Sequence, residues 1–135
     1  MKAIADTGFL VGLLHRDDQH HQWAAEVVHR LELPLLTCEA VLAETAFHLQ
    51  SAHAALEAVS LGLVRIAFDC NSNLTHLAEL AQRYSNRKPD LADLCLIRMS
   101  ELHPKHYVVT VDESDFRVFR RNKREAIPLL CPPRK

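Results

Sequence analysis

The segment KAIADTGFLVGLL, residues 2–14, contains the pattern on which the predicted fold is built. Residues 2–5 form a short apolar run that is typical of a buried strand, and Asp6 stands directly after it. Apolar residues then recur at the spacing of an amphipathic helix, at Phe9, Leu10, Leu13 and Leu14. The segment therefore predicts a buried strand, an acidic residue at its end, and a helix.

The same alternation of strand and helix continues along the chain. Short apolar runs predict further strands at residues 34–36, 63–68, 106–112 and 127–130, and periodic segments between them predict helices. Candidate helix caps are Asp17 or Asp18, Thr37, and the cluster at residues 71–73. Such alternation indicates an α/β/α sandwich with a central parallel sheet. A chain of 135 residues fits one domain spanning 1–135.

Composition and charge limit the classes of function. Hydrophobic residues make up 48% of the chain, enough for a core, and 16 basic against 17 acidic residues give a net charge of −1. Any nucleic-acid contact must therefore be a local patch. The first apolar run is interrupted by Asp6 and lacks a small-residue cleavage site, which argues against a signal peptide, and it is too short to span a membrane. Four dispersed cysteines predict free thiols and a cytoplasmic protein.

Acidic residues stand at the ends of the predicted strands, where sheets of this kind place their functional clefts. Asp6 ends the first strand, and Asp112 ends the strand at residues 106–112, with Asp115 three residues later. Glu44 lies within the small and apolar segment AVLAETAF, where an unpaired carboxylate would be costly to bury. Each has a local alternative, because the aspartates could cap helices or turns and Glu44 could face solvent.

Two further aspartates open the segment KPDLADLCLIRMSEL, residues 88–102. Asp90 follows Pro89 and fits an N-cap, and Asp93 would then occupy the third helical position, where a carboxylate can accept from backbone amides. Several acids at one sheet edge would also repel one another, which metal coordination would relieve. Oxygen ligands suit Mg²⁺ or Mn²⁺. The pattern therefore predicts either helix capping alone or a metal site suited to phosphodiester hydrolysis.

The chain resembles PIN-domain proteins of the VapC-like ribonuclease toxin type over nearly its whole length. The resemblance rests on AIADTGFLVGLL at residues 3–14, DDQHH with Asp18 and His21, VLAETAFHL around Glu44, DLADLCLI around Asp93, and VVTVDESDFRVFR at residues 108–120. It implies a single-domain α/β fold and cleavage of RNA that depends on Mg²⁺ or Mn²⁺. It also implies an antitoxin partner, if the protein is a toxin, and commonly a homodimer.

The resemblance also implies which residues form the site. Asp6, Glu44 and Asp93 would be the acidic core and Asp112 its fourth member, with Asp115 as a secondary acid. Thr7 and Thr110 flank the site and could hold a metal-bound water or a phosphate. A basic run follows the last acids and is either a solvated face or a guide for the RNA backbone; its members are Arg117, Arg120, Arg121, Lys123 and Arg124.

Four alternatives were weighed against this hypothesis. Asp6-Thr7-Gly8 is also the tripeptide of aspartic proteases, but that fold is nearly all β, whereas this chain has mainly helical periodicity. Receiver domains need paired acids after the first strand and a lysine after the last, which this chain lacks. The histidines lack the spacing of a zinc site. A PIN-like protein that binds RNA or a partner without cutting it is the remaining alternative.

Overall fold

The computed structural model describes residues 1–134, which contain seven strands and seven α-helices. The strands are β1 (Ala3–Ala5), β2 (Leu35–Thr37), β3 (Val64–Ile66), β4 (Tyr107–Val109), β5 (Arg120–Arg121), β6 (Glu125–Ala126) and β7 (Leu129–Leu130). The helices are α1 (Thr7–Leu14), α2 (His21–Val28), α3 (Glu39–Leu49), α4 (Ala52–Ser60), α5 (Leu74–Arg83), α6 (Leu91–Leu102) and α7 (Glu113–Val118). Two 3₁₀ turns span Asn71–Asn73 and Ser85–Arg87.

Five strands form one parallel sheet in the order β3-β2-β1-β4-β7. The central strand β1 pairs with β2 through Ile4 and Leu36, and with β4 through Ile4 and Val108. All five strands thus end at the same edge, so that the loops after β1 and β4 are neighbours. The predicted α/β fold with a central parallel sheet is confirmed.

The core lies where helices pack on this sheet. Ile4, Phe9, Leu96 and Phe116 are completely buried, and α6 packs against both β1 and β4. Phe116 and Phe119 alternate with arginines in the sequence, which predicts that they are core residues. Both are buried and meet edge to face, with ring centroids 5.4 Å apart. This packing holds α6 and α7 against the sheet edge. No helix within residues 1–134 has the length and apolar character needed to cross a membrane.

Of the two glycines in α1, Gly8 is the one at which a side chain would not fit. A Cβ there would lie 2.2 Å from Cγ2 of Val111. The first turn of α1 can therefore lie directly against the segment after β4, which brings Asp6 and Asp112 into the same region.

Two predicted helix caps are wrong. Thr37 ends β2 rather than capping α3, and its hydroxyl donates to the carbonyl of Ala5 across the sheet. The N-cap of α2 is His20, and Asp18 accepts from the His20 backbone amide at 2.9 Å. In both places the side-chain oxygen satisfies a neighbouring backbone group instead of the first turn of a helix.

Candidate active site

Asp6 lies at the end of β1 and is buried, with 8% of its surface exposed. It is the N-cap of α1, accepting from the Thr7 amide at 2.7 Å, and its second oxygen accepts from the Thr110 hydroxyl at 2.6 Å. Burial raises the pKa of Asp6 to about 6, against the lowering effect of these two hydrogen bonds. Asp112 and Glu44 contribute to that rise by like-charge repulsion. Three acids thus act on one another at this edge.

Asp93 combines the two roles that the sequence left open. It belongs to a capping box: the Asp93 amide donates to Asp90 at 2.9 Å, and the Asp90 amide donates to Asp93 at 3.3 Å. The predicted N-cap at Asp90 is therefore confirmed. Burial first, and then the charges of Asp90 and Asp6, raise the pKa of Asp93 to about 7. Although Asp93 takes part in the capping box, the charges of the neighbouring acids still raise its pKa.

Glu44 and Asp112 complete the predicted acidic set. Glu44 projects from α3 and accepts from the Thr7 hydroxyl at 2.8 Å. Its pKa is raised, mainly by partial burial and then by Asp90. Asp112 is the N-cap of α7, and its pKa is raised by partial burial and by the charge of Asp115. The hydroxyl groups of Thr7 and Thr110 donate to the carboxylates of Glu44 and Asp6 and orient them. Their predicted contact with a metal-bound water or a phosphate stays a prediction.

These side chains line one cavity of about 460 Å³ at the carboxyl edge of the sheet. The lining residues are Asp6, Thr7, Gly8, Val11, Asp18, Gln19, His20, Glu44, His48, Asp90, Asp93, Val111, Asp112 and Asp115. Seven of these fourteen residues are aspartate or glutamate, and none of the described lining residues is lysine or arginine. The carboxylates therefore repel one another without a basic side chain among them, and this repulsion adds to the larger effect of burial on the pKa values of Asp6 and Asp93.

The donor set fits a hard divalent cation by its chemistry. All four predicted ligands offer carboxylate oxygens, and two threonine hydroxyls hold Asp6 and Glu44 in fixed orientations. Among the residues that the structure describes, no group of three or more His, Cys, Asp or Glu side chains is arranged so that it could hold a metal ion by itself. Mg²⁺ does not need such a group, because it commonly binds one or two carboxylates and completes its shell with waters and substrate phosphates.

Asp115 differs from the other predicted acids. It lines the cavity, but one of its oxygens accepts from Arg87 at 2.9 Å, in a pair whose side chains are 36% and 39% exposed. Arg87 belongs to the 3₁₀ turn before α6 and was not singled out from the sequence. Nothing in its local pattern predicts this contact, because 28 residues separate the partners.

The basic run does not enter the cavity. Arg121 is buried, and its guanidinium donates to Glu125 and to both the carbonyl and the hydroxyl of Ser100. That placement leaves no guanidinium surface for a phosphate, which is contrary to the expectation for Arg121. Arg117 pairs with Glu113. Lys123 and Arg124 lie in the turn between β5 and β6, an antiparallel hairpin that the sequence analysis did not predict.

Other lining residues were missed as site residues. Asp18 and His20 come from the loop before α2, and His48 lies one helical turn after Glu44 on α3. The i, i+4 spacing of Glu44 and His48 was the available signal for His48. Asp90 was assigned only as a cap, yet it also lines the cavity and acts on Glu44.

The protein combines a central parallel sheet with a cluster of acidic side chains at the carboxyl edge of that sheet. The family to which it belongs is consistent with this arrangement. The sequence model of the PIN domain matches residues 3–122. The chain therefore belongs to the PIN domain family, whose members are generally metal-dependent nucleases that act on RNA. No curated protein matches the chain significantly.

Proposed function

We propose that this protein is an endoribonuclease that hydrolyses RNA phosphodiester bonds with Mg²⁺ or Mn²⁺. The observation that carries the proposal is the meeting of Asp6, Glu44, Asp93 and Asp112 in one cavity without a lysine or arginine to neutralise them. Membership of the PIN domain family supports it. Burial and like-charge repulsion raise the pKa of Asp6 to about 6 and that of Asp93 to about 7, and a bound divalent ion would offset the repulsion.

The side chains have distinct tasks in this proposal. The proposed acidic ligands of the metal site are Asp6, Glu44, Asp93 and Asp112. When bound, the ion supplies a water activated for attack and offsets charge on the scissile phosphate. Thr110 and Thr7 hold Asp6 and Glu44 in orientation through their hydroxyl groups. The exposed side of the cavity leaves room for the RNA backbone.

We also propose that the nuclease is the toxin of a VapC-like pair and acts as a homodimer. The helical hairpin of α3 and α4 supports a protein partner, because it leaves Phe47 77% exposed and Leu56 58% exposed. A small neighbouring gene for a DNA-binding antitoxin would support the toxin assignment. Sedimentation of the purified protein would measure the dimer, and a monomer at micromolar concentration would contradict that part.

The test of the nuclease is cleavage of labelled single-stranded and structured RNA by the purified chain. Cleavage is expected with Mg²⁺ or Mn²⁺ and none in EDTA. Glu44→Gln should lose cleavage, whereas Glu39→Gln, on the exposed first turn of the same helix, should keep it. Cleavage that survives chelation would contradict the metal mechanism. RNA binding without cleavage would favour a non-catalytic PIN-like protein.

A further inference from the structure

Three of the four cysteines meet inside the protein, although they lie on three separate parts of the chain. Cys38 is the N-cap of α3, Cys70 precedes the 3₁₀ turn before α5, and Cys95 lies within α6. All are free thiols. The sulfurs of Cys70 and Cys95 are 3.7 Å apart, and the neighbouring Cys95 thiol lowers the pKa of Cys38. The nuclease proposal uses none of them.

The three thiols differ in their access to solvent. Cys95 and Cys38 are completely or almost completely buried, at 0% and 1% exposure, whereas Cys70 is only half-buried. A small polar oxidant therefore reaches Cys70 first. Cys95 is then the neighbour in direct contact with the oxidised sulfur.

The segment that carries Cys70 is fastened to α6. The side-chain oxygen of Asn73 accepts from Arg98 at 2.8 Å, and its amide donates to the carbonyl of Asp69 at 2.8 Å. Asn73 is itself buried. These contacts hold Cys70 beside Cys95, so that a bond of about 2.05 Å requires the sulfurs to approach by only about 1.7 Å.

We propose that Cys70 and Cys95 are a site of reversible disulfide formation that responds to peroxide. The Cys70 thiolate attacks hydrogen peroxide, the O–O bond breaks, and the products are a sulfenic acid and hydroxide, which takes up the thiol proton as water. The Cys95 sulfur then attacks the Cys70 sulfur and the S–O bond breaks. Hydroxide leaves with the Cys95 proton as a second water. Two thiols and one peroxide thus give one disulfide and two waters.

The disulfide would join the segment before α5 to the helix that presents Asp93, two residues before Cys95. Intracellular disulfides of this kind are usually transient and redox-sensing. The proposal concerns the thiols alone and does not depend on the nuclease activity.

Peptide mapping tests the proposal directly. The folded protein is treated with hydrogen peroxide, the remaining thiols are alkylated, and trypsin digestion follows without reduction. Cleavage after Arg and Lys, except before Pro89, places Cys38 in residues 31–65, Cys70 in 66–83, Cys95 in 88–98 and Cys131 in 125–134. The expected product joins 66–83 to 88–98, two hydrogens lighter than the sum of the two peptides, and dithiothreitol should reverse it.

Two variants make the test specific. Cys38→Ser should form the same cross-link, whereas Cys70→Ser should form none and should leave Cys95 alkylatable after unfolding. Cys131 is the internal control and should remain a thiol. A cross-link between 31–65 and 88–98 would overturn the assignment. Oxidation of Cys70 to sulfinic acid with Cys95 unchanged would also overturn it. Oxidation of Cys131 while Cys70 stays reduced would do the same.

Discussion

Two helices of this protein begin with the same pattern, Asp-x-x-Asp, and use it in opposite ways. At α6 the N-cap Asp90 accepts from the Asp93 amide at 2.9 Å, and at α7 the N-cap Asp112 accepts from the Asp115 amide at 3.4 Å. At α6 the second aspartate, Asp93, has the raised pKa, because it is buried and lies near the charges of Asp90 and Asp6. At α7 the first aspartate, Asp112, has the raised pKa, and the second aspartate, Asp115, forms an ion pair with Arg87.

The difference teaches that a local motif determines the cap but not the chemistry. Asp93 and Asp112 face Asp6 because β1 and β4 are adjacent and parallel, so the two helix starts approach the same edge from different directions. Capping and metal binding are therefore compatible for one carboxylate. Which aspartate of each pair belongs to the proposed site is decided by the packing of the sheet.

The largest expected effect is on RNA cleavage by the α6 pair. Asp93→Asn should lower cleavage by about 100-fold or more, because losing a ligand removes several kcal/mol of charge stabilisation. Asp90→Asn keeps a good N-cap and should lower it by no more than about threefold. The measurement is the single-turnover rate in Mg²⁺. Equal losses of cleavage in Asp93→Asn and Asp90→Asn would contradict the proposal that, of these two residues, only Asp93 is a metal ligand.

The pH dependence of stability without metal should separate the same residues. Burial and repulsion raise the pKa of Asp93 to about 7 and of Asp6 to about 6, so the folded state holds these protons more tightly than the unfolded chain. Their contribution to stability is fully present below the ordinary pKa of 3.8 and is lost progressively as pH rises to about 6 for Asp6 and about 7 for Asp93. In EDTA, the melting temperature of the wild type should therefore fall more steeply between about pH 4 and pH 7 than that of Asp93→Asn.

That comparison must be made between variants, because other groups act in the opposite direction. Burial and positive neighbours lower the pKa values of His103 and His106, which contribute stability that increases with pH. Both variants share this term, so it cancels in the difference. Glu39→Gln, at an exposed position on the first turn of α3, is the control and should keep the steep wild-type slope. Parallel curves for the wild type and Asp93→Asn would contradict the shifted pKa of Asp93.

A smaller effect is expected from the caps themselves. Asp90→Ala removes the side-chain acceptor of the capping box and should lower the free energy of unfolding by about 1 kcal/mol, whereas Asp90→Asn should cost only a few tenths. Asp112→Ala should cost less than Asp90→Ala, since its hydrogen bond is longer and α7 has only six residues. Urea denaturation in EDTA measures all three. A larger loss at Asp112 would reverse the ranking of the two caps.

The smallest effect concerns the ion pair that separates Asp115 from the other acids. Arg87→Gln should change the free energy of unfolding by no more than about 1 kcal/mol, because both side chains are more than one-third exposed. Salt should reduce that difference further. The free energy of unfolding is measured by denaturation at low and high salt. A loss several times larger than about 1 kcal/mol would contradict the interpretation of this contact as an exposed ion pair.

Much of the fold follows from local sequence patterns. The apolar runs around Ile4, Leu36 and Val108 predict buried parallel strands, and the positions of Asp6 and Asp112 at strand ends predict which acids lie on the same edge. These expectations succeed because strand burial and strand direction are properties of short segments. Phe116 and Phe119 also follow, since they alternate with charged residues.

The missed features depend on contacts between distant residues. Arg121 lies in a basic run, yet it is buried because the β5–β6 hairpin turns it toward Ser100 and Glu125. That hairpin needs both Asn122 and Lys123 at positive φ, a conformation that asparagine often adopts but lysine rarely does. The partner of Asp115, Arg87, is equally invisible to local patterns. Such pairs are determined by the assembled structure.

The most direct test of the central claim is the stability that Mn²⁺ adds to each single Asp→Asn variant at positions 90, 93, 112 and 115. The melting temperature is measured in EDTA and across a Mn²⁺ titration. The wild type should gain about 2.7 kcal/mol at one hundred times the dissociation constant. Asp90→Asn and Asp115→Asn should keep that gain, and Asp93→Asn and Asp112→Asn should lose most of it. A folded Asp93→Asn protein that responds to Mn²⁺ as fully as Asp90→Asn would contradict the account.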